Sequence, residues 1–191
     1  MRVNEIFVSL QGEGHWTGTP AVFLRLSGCN LACPFCDTQH LSHTDMTEDE
    51  IAALVCSFAP RHIVITGGEP SLQLTDTLVD LLHKVGFYVQ VETNGSHELP
   101  ADVDWVTCSP KVKQGGILKL RKVNELKMLY HGDGTDLSPA DDIDAEEYRL
   151  QPLDTGNPQR NQEITNQTIN YIIEHPQWKL SLQTHKILNV R

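Results

Sequence analysis

Cys29, Cys33 and Cys36 place three thiols within eight residues, in the pattern C-x-x-x-C-x-x-C. They directly follow the apolar run Val22-Phe23-Leu24-Arg25-Leu26. Packing does not call for thiols at this density. The set has the character of a metal site with one ligand missing, and an open ligand position is where chemistry occurs. Soft thiolate sulfur suits iron–sulfur clusters. A four-iron cube held by three cysteines leaves one iron free to bind an outside ligand and pass it an electron. Structural zinc prefers four protein ligands, often as paired C-x-x-C units. Here Cys56 and Cys108 stand alone, while His40 and His43 could complete a zinc site, so a zinc-stabilised binding module is the alternative of a different class.

The elements that must position these cysteines can be read from hydrophobic runs. Candidate strands are Ala21–Leu26, His62–Thr66, Phe87–Glu92, Asp104–Thr107, Val123–Leu129, Tyr148–Gln151 and Lys179–Gln183. Several are continuously apolar, as strands buried on both faces are. Thr47-Glu48-Asp49-Glu50 predicts a capping box ahead of Ile51, Leu54 and Val55. Leu74, Leu78, Leu81, Leu82 and Val85 predict a helical stripe ended by Gly86, and Ile169, Ile172 and Ile173 a shorter one stopped by Pro176. Alternating strands and helices argue for a parallel sheet with right-handed crossovers. The stretch from Glu92 to Asp104 is too short for a normal crossover helix, and Lys111–Lys122 has no apolar stripe. The expectation is an α/β fold, an incomplete, open parallel (β/α) barrel with some helices reduced to loops, in a single domain over 1–191. The polar motifs then fall after successive strands and gather at one mouth of the barrel, where active sites sit.

Composition narrows the class. A chain of 191 residues suffices for one domain of ordinary size. A formal net charge of −10 disfavours direct nucleic-acid binding and favours a small-molecule substrate. No apolar run approaches the ~20 residues that span a membrane, and no signal peptide is evident at the N-terminus. A cytoplasmic protein with reduced thiols is expected, which also disfavours disulfides. The nine histidines are scattered and form no H-E-x-x-H motif.

The cysteine motif, with the aromatic Phe35 before its last cysteine, resembles that of the radical S-adenosylmethionine superfamily. Gly67-Gly68-Glu69-Pro70, one strand later, looks like the superfamily's second motif, in which Gly68 permits a close backbone approach. More of the chain resembles one family within it, the 7-carboxy-7-deazaguanine synthases. Those segments are Phe7–Gly14, Gly18-Thr19-Pro20, Phe23–Asn30, Cys36-Asp37-Thr38, Glu92-Thr93-Asn94-Gly95, Ser109-Pro110-Lys111, Gln151-Pro152 and Gln183-Thr184-His185-Lys186. The resemblance implies a radical lyase that rearranges 6-carboxy-5,6,7,8-tetrahydropterin to 7-carboxy-7-deazaguanine with loss of ammonia, a step toward queuosine. It implies a [4Fe-4S] cluster and S-adenosyl-L-methionine, whose cleavage gives a 5′-deoxyadenosyl radical, and Mg2+. It further implies an external electron donor such as flavodoxin or ferredoxin and a homodimer. A different radical enzyme, such as a glycyl-radical activase, would share the cysteines but not need Gln11-Gly12-Glu13-Gly14.

The same resemblance assigns residues. Cys29, Cys33 and Cys36 hold the cluster and Thr38 the magnesium. Leu10, Gln11, Gly12, Arg25, Thr66, His185 and the C-terminal Arg191 contact substrate. Phe35, Cys36, Asp37, Gly68, Glu92, Ser109, Pro110, Lys111, Gln151, Pro152, Leu153 and Asp154 contact the cofactor. Elementary chemistry agrees for Arg25, because a guanidinium can meet a substrate carboxylate with two parallel hydrogen bonds. A threonine hydroxyl alone is a poor magnesium site, so substrate oxygens and water must complete the shell. No general base is evident. Cys56 is expected in the core, and Cys108 carries no assignment.

Overall fold

The computed structural model describes residues 1–36, 38 and 42–191, the Lys113 side chain apart. Among these, nine strands form one sheet. They are β1 (Arg2–Leu10), β2 (Pro20–Leu26), β3 (Thr44–Asp45), β4 (His62–Gly67), β5 (Tyr88–Thr93), β6 (Trp105–Cys108), β7 (Lys122–Tyr130), β8 (Asp144–Pro152) and β9 (Trp178–Leu180). The order is β3-β1-β2-β4-β5-β6-β7-β8-β9. From β2 through β9 all pairs are parallel, while β1 and β3 join antiparallel at one edge. The sheet ends in free edges at β3 and β9, so it is an open, incomplete barrel.

Helices cover the outer face. Helix α1 (Glu48–Val55) starts at the predicted capping box, with Thr47 and Glu50 exchanging hydrogen bonds. Such a cap contributes about 1 kcal/mol. Helix α2 (Asp76–Lys84) buries Leu78, Val79 and Leu82 and ends before Gly86, whose φ is 85°. Helix α3 (Pro158–Glu174) packs on β8 and β9. The predicted isoleucine stripe is only partly its packing face. Ile164 and Thr168 are buried, whereas Ile173 is 72% exposed. The strand expected over Lys179–Gln183 stops at Leu180, and Gln183 instead precedes the short helix α4 (Thr184–Leu188). The links β5–β6, β6–β7 and β7–β8 hold no α-helix; the latter two contain short 3-10 turns at Val112–Gln114 and Ser138–Asp142.

Strand periodicity divides the sheet into two chemically different faces. In β2, Leu24 and Leu26 are fully buried in the core with α1 and α2, while Phe23 and Arg25 point the other way. In β4, Ile63 and Ile65 enter the core, and Val64 and Thr66 line the interior. Each buried leucine or isoleucine contributes about 2 kcal/mol. A second apolar cluster, including Leu126, Met128, Leu150 and Ile164, lies under α3. The inner face is left to polar side chains set among a few apolar ones such as Phe23 and Val64. Its floor is plugged by the loop after β1, closed by Gln11 N–H donating to the Thr19 carbonyl at 2.8 Å. That loop sets Trp16 edge-on to His62, Tyr88 and Trp105.

Candidate active site

Two cavities open on the inner face. The first, about 800 Å³, is lined by Leu10, Gln11, Gly12, Arg25, Thr66, His185 and Arg191, which are all the residues expected to touch substrate. Thr38 lines it too. Phe7 and Phe23 form part of its wall as a cross-strand stacked pair, with centroids 5.0 Å apart and planes 7° apart. A flat apolar surface of this kind suits a planar heterocycle. Arg25 Nε donates to Glu5 at 2.9 Å, and its Nη1 lies 3.4 Å from Thr38 Oγ1. Glu5 also pairs with the Arg191 guanidinium, which lies 4.6 Å from the Phe7 ring centre. The tail thus folds back into the cavity. Thr184 N and Oγ1 both donate to the Gly12 carbonyl at 2.9 Å, and the backbone of Gly12 packs on the His185 ring.

The second cavity, about 340 Å³, is lined by Cys29, Cys33 and Cys36 on one side. Phe35, Gly68, Glu92, Ser109, Lys111, Gln151, Pro152, Leu153 and Asp154 form much of the rest. Pro110 lines a small neighbouring recess of about 50 Å³ with Val112 and Met128, to which Phe35 and Lys111 also contribute. Asp37 and His40 lie outside the described residues, and His43 is exposed. Burial raises the Cys29 and Cys33 thiols, the latter against the opposing charge of Lys111. Among the described residues no three His, Cys, Asp or Glu side chains converge on one metal ion. Cys56 caps the end of α1, half-buried rather than in the core, and burial pushes the Cys108 thiol up to about 12.

Gly68, which lines the second cavity, also makes a close approach to the chain's own backbone. A Cβ on Gly68 would sit 1.9 Å from the Gly28 carbonyl oxygen, so its bareness lets the end of β4 press against the cysteine loop. Glu69 N donates to that same carbonyl at 2.8 Å. The Glu69 carboxylate accepts from Ser71 N, Thr93 Oγ1 and Asn94 N at 3.0, 2.5 and 2.7 Å, tying the ends of β4 and β5 together.

The cavities meet at a seam lined on both sides by Glu13, Glu92, Gln183 and Lys186. Lys127, 5% exposed, donates to Glu13 at 2.6 Å and to Glu92 at 2.9 Å. Gln183 donates to the other Glu13 oxygen at 2.9 Å, while Gln11 and Gln90 donate to Glu92 at 3.2 and 3.0 Å. Burial works to raise the Glu13 carboxyl, but the Lys127 charge and the bonds from Lys127 and Gln183 hold it at about 2. Glu92 is pushed up to about 7 by burial, against Lys127 and with the added repulsion of Glu13 and Glu125. One ammonium serves two buried carboxylates, which titrate as a unit.

A radical SAM superfamily model matches residues 24–110, the stretch from β2 through the cysteines to the Ser109-Pro110 turn. The 7-carboxy-7-deazaguanine synthase of Bacteroides thetaiotaomicron is 50% identical over 190 residues, covering 100% of this chain and 98% of that one. The chain belongs to the 7-carboxy-7-deazaguanine synthases. The synthase of Bradyrhizobium diazoefficiens is 38% identical over 211 residues, covering 99% of this chain and 98% of its own. The crystal structure of QueE from Escherichia coli superposes with a TM-score of 0.79 at 32% identity, covering 95% and 93% of the two chains. As a member of the 7-carboxy-7-deazaguanine synthases, the chain is a radical S-adenosylmethionine enzyme. Two residues of the synthase site escape the sequence motifs: Lys127 within an apolar strand, and Glu5 as partner of Arg25. Phe7, Phe23, Glu13 and Gln183 fall inside the motifs, and only the structure shows the stacking of the first two and the shared seam of the last two.

Proposed function

We propose that this lyase converts 6-carboxy-5,6,7,8-tetrahydropterin to 7-carboxy-7-deazaguanine with loss of ammonia, in the route to queuosine. The carrying observation is the pair of cavities joined at one seam, thiols in one and a guanidinium with a flat aromatic wall in the other. The second cavity fits a [4Fe-4S] cluster with S-adenosyl-L-methionine. Cys29, Cys33 and Cys36 are the cluster ligands, and Ser109, Lys111, Gln151 and Asp154 give the cofactor polar partners beside the apolar Phe35, Pro152 and Leu153. When bound, cluster and cofactor supply the one-electron chemistry that removes a hydrogen atom from substrate.

The chain's own residues bind and orient. Arg25 takes the pterin carboxylate through its terminal amino groups, its Nε being held by Glu5. Phe7 and Phe23 give the ring an apolar wall, while Gln11, Thr66 and His185 read its polar edges. Arg191, folded back over Phe7, contacts the substrate from the same wall. Magnesium is assigned to Thr38. Its neighbour Arg25 is a cation, so a magnesium ion at Thr38 would draw on substrate oxygens and water for its shell. A single domain over 1–191, a homodimer, a flavodoxin- or ferredoxin-type donor and a cytoplasmic location complete the proposal. The continuous sheet supports the first of these, and no helix among the described residues is long and apolar enough to cross a membrane.

The test is anaerobic reconstitution with iron and sulfide, then turnover with the pterin, S-adenosyl-L-methionine, Mg2+ and dithionite. Formation of 7-carboxy-7-deazaguanine is expected. Steady 5′-deoxyadenosine release without it would point to another radical enzyme. Colourless, zinc-loaded protein would defeat the radical reading altogether.

A further inference from the structure

Lys127 is an ionisable group on the inner face that no motif accounts for. It lies in the middle of β7, 6% exposed in its side chain, between two carboxylates from different parts of the fold. Glu13 comes from the loop after β1, and Glu92 from the end of β5. Lys127 itself lines the cofactor cavity and not the substrate cavity, whereas both of its partners line the two. A merely structural ion pair has no reason to sit on the boundary between two binding sites.

We propose that Lys127 is a positioning residue for the reaction: its ammonium clamps Glu13 to Glu92 across the seam and so fixes the wall that both ligands share. The clamp is polar throughout. Gln183 holds the far oxygen of Glu13, and Gln11 and Gln90 hold that of Glu92. Gln90 in turn meets His62 Nε2 at 2.8 Å. Charged groups facing the clamp are Glu125 on β7, Lys111 after β6, and His185 and Lys186 on α4, the last donating to Gln183 Oε1 at 2.9 Å. Glu13, Glu92 and Glu125 raise the Lys127 ammonium against the lowering effect of burial, so it stays charged. Without it, two buried carboxylates would face each other with only amide donors, and one would take a proton or turn away. Glu13 would then no longer present the same surface to the substrate.

This inference rests on the pterin and S-adenosyl-L-methionine reading, and the experiment separates the two. Anaerobic calorimetry measures binding of 6-carboxy-5,6,7,8-tetrahydropterin to the reconstituted enzyme without S-adenosyl-L-methionine. Wild-type protein that does not bind the pterin overturns the functional reading, and this proposal with it. Given wild-type binding, Lys127→Met is expected to weaken pterin affinity by about tenfold, although Lys127 does not line that cavity. Lys127→Arg, which keeps the cation, is expected to recover it to within about threefold. Should the methionine variant fail to fold, Lys127→Gln keeps an N–H donor without the charge and is expected to show the same loss. Pterin affinity within twofold of wild type in either neutral variant overturns the clamp. Loss of affinity that arginine does not restore at all overturns it too, in favour of packing.

Discussion

At the residue scale, the seam's carboxylates make stability depend on pH with a sign that can be worked out. Glu92 is held at about 7 in the folded protein against an ordinary value of 4.5. Between those values the folded carboxyl keeps a proton that the unfolded chain has released. The folded state therefore binds more protons, and this group's contribution to stability falls as pH rises through the window. Glu13, held at about 2, contributes stability that is complete above its ordinary value of 4.5 and is lost only on further acidification, so it does not vary in the same window. His62, lowered by burial, does vary there, but it is common to wild type and variant and cancels in their difference. Glu92→Gln should thus gain on wild type as pH is raised from 5 to about 7.5, read as the difference in urea midpoints. Parallel midpoints across that range would show that Glu92 is not buried with a raised pKa.

At the scale of elements, the substrate cavity depends on α4 being latched to the loop after β1. A Cβ on Gly12 would lie 2.2 Å from His185 Nδ1 and 2.8 Å from its Cβ, so the ring cannot stay where it is. The Thr184 bonds to the Gly12 carbonyl would be strained by the same shift. Gly12→Ala is expected to cost about 1–3 kcal/mol of stability, as overpacking does. It should also weaken pterin binding at least tenfold while leaving cluster content unchanged. Undiminished pterin affinity would remove His185 from the pocket. The pairing explains why two motifs at opposite ends of the chain, Gln11–Gly14 and Gln183–Lys186, are both legible: each is constrained by the other and by one ligand. Other elements were less legible for physical reasons. Strand β1 carries Asn4 and Glu5 toward the cavity, so its hydrophobic pattern is interrupted by the residues that matter. Lys127 sits among Val123, Leu126 and Met128, and a run of that kind does not announce that its lysine faces inward between two acids. In α3, the spacing of the isoleucines shows a stripe but not which side meets the sheet, and Ile169 and Ile173 turned out exposed.

At the scale of the whole molecule, the two apolar clusters under α1–α2 and under α3 belong to one sheet, and the seam lies on that sheet's inner face. The first cluster includes Leu26 and resumes with Met46, packed against it, and Ile51, so among the described residues the cysteine segment 29–36 adds no side chain to it. A cysteine variant should then change what the molecule binds without changing how it folds. None of the three cysteines lines the substrate cavity. In wild type, each ligand at about 100 times its Kd adds about 2.7 kcal/mol by binding only the folded state. For a chain of this size that is a rise in Tm of about 5–11 °C. Cys33→Ala should melt close to ligand-free wild type, lose the rise caused by S-adenosyl-L-methionine, and keep the rise caused by the pterin. Retention of the S-adenosyl-L-methionine rise would mean that the cofactor is anchored by the polar wall of Ser109, Lys111 and Asp154 rather than by an open iron. Loss of the pterin rise would mean that the two cavities are not separable, and that the cysteine loop shapes the substrate site through the seam.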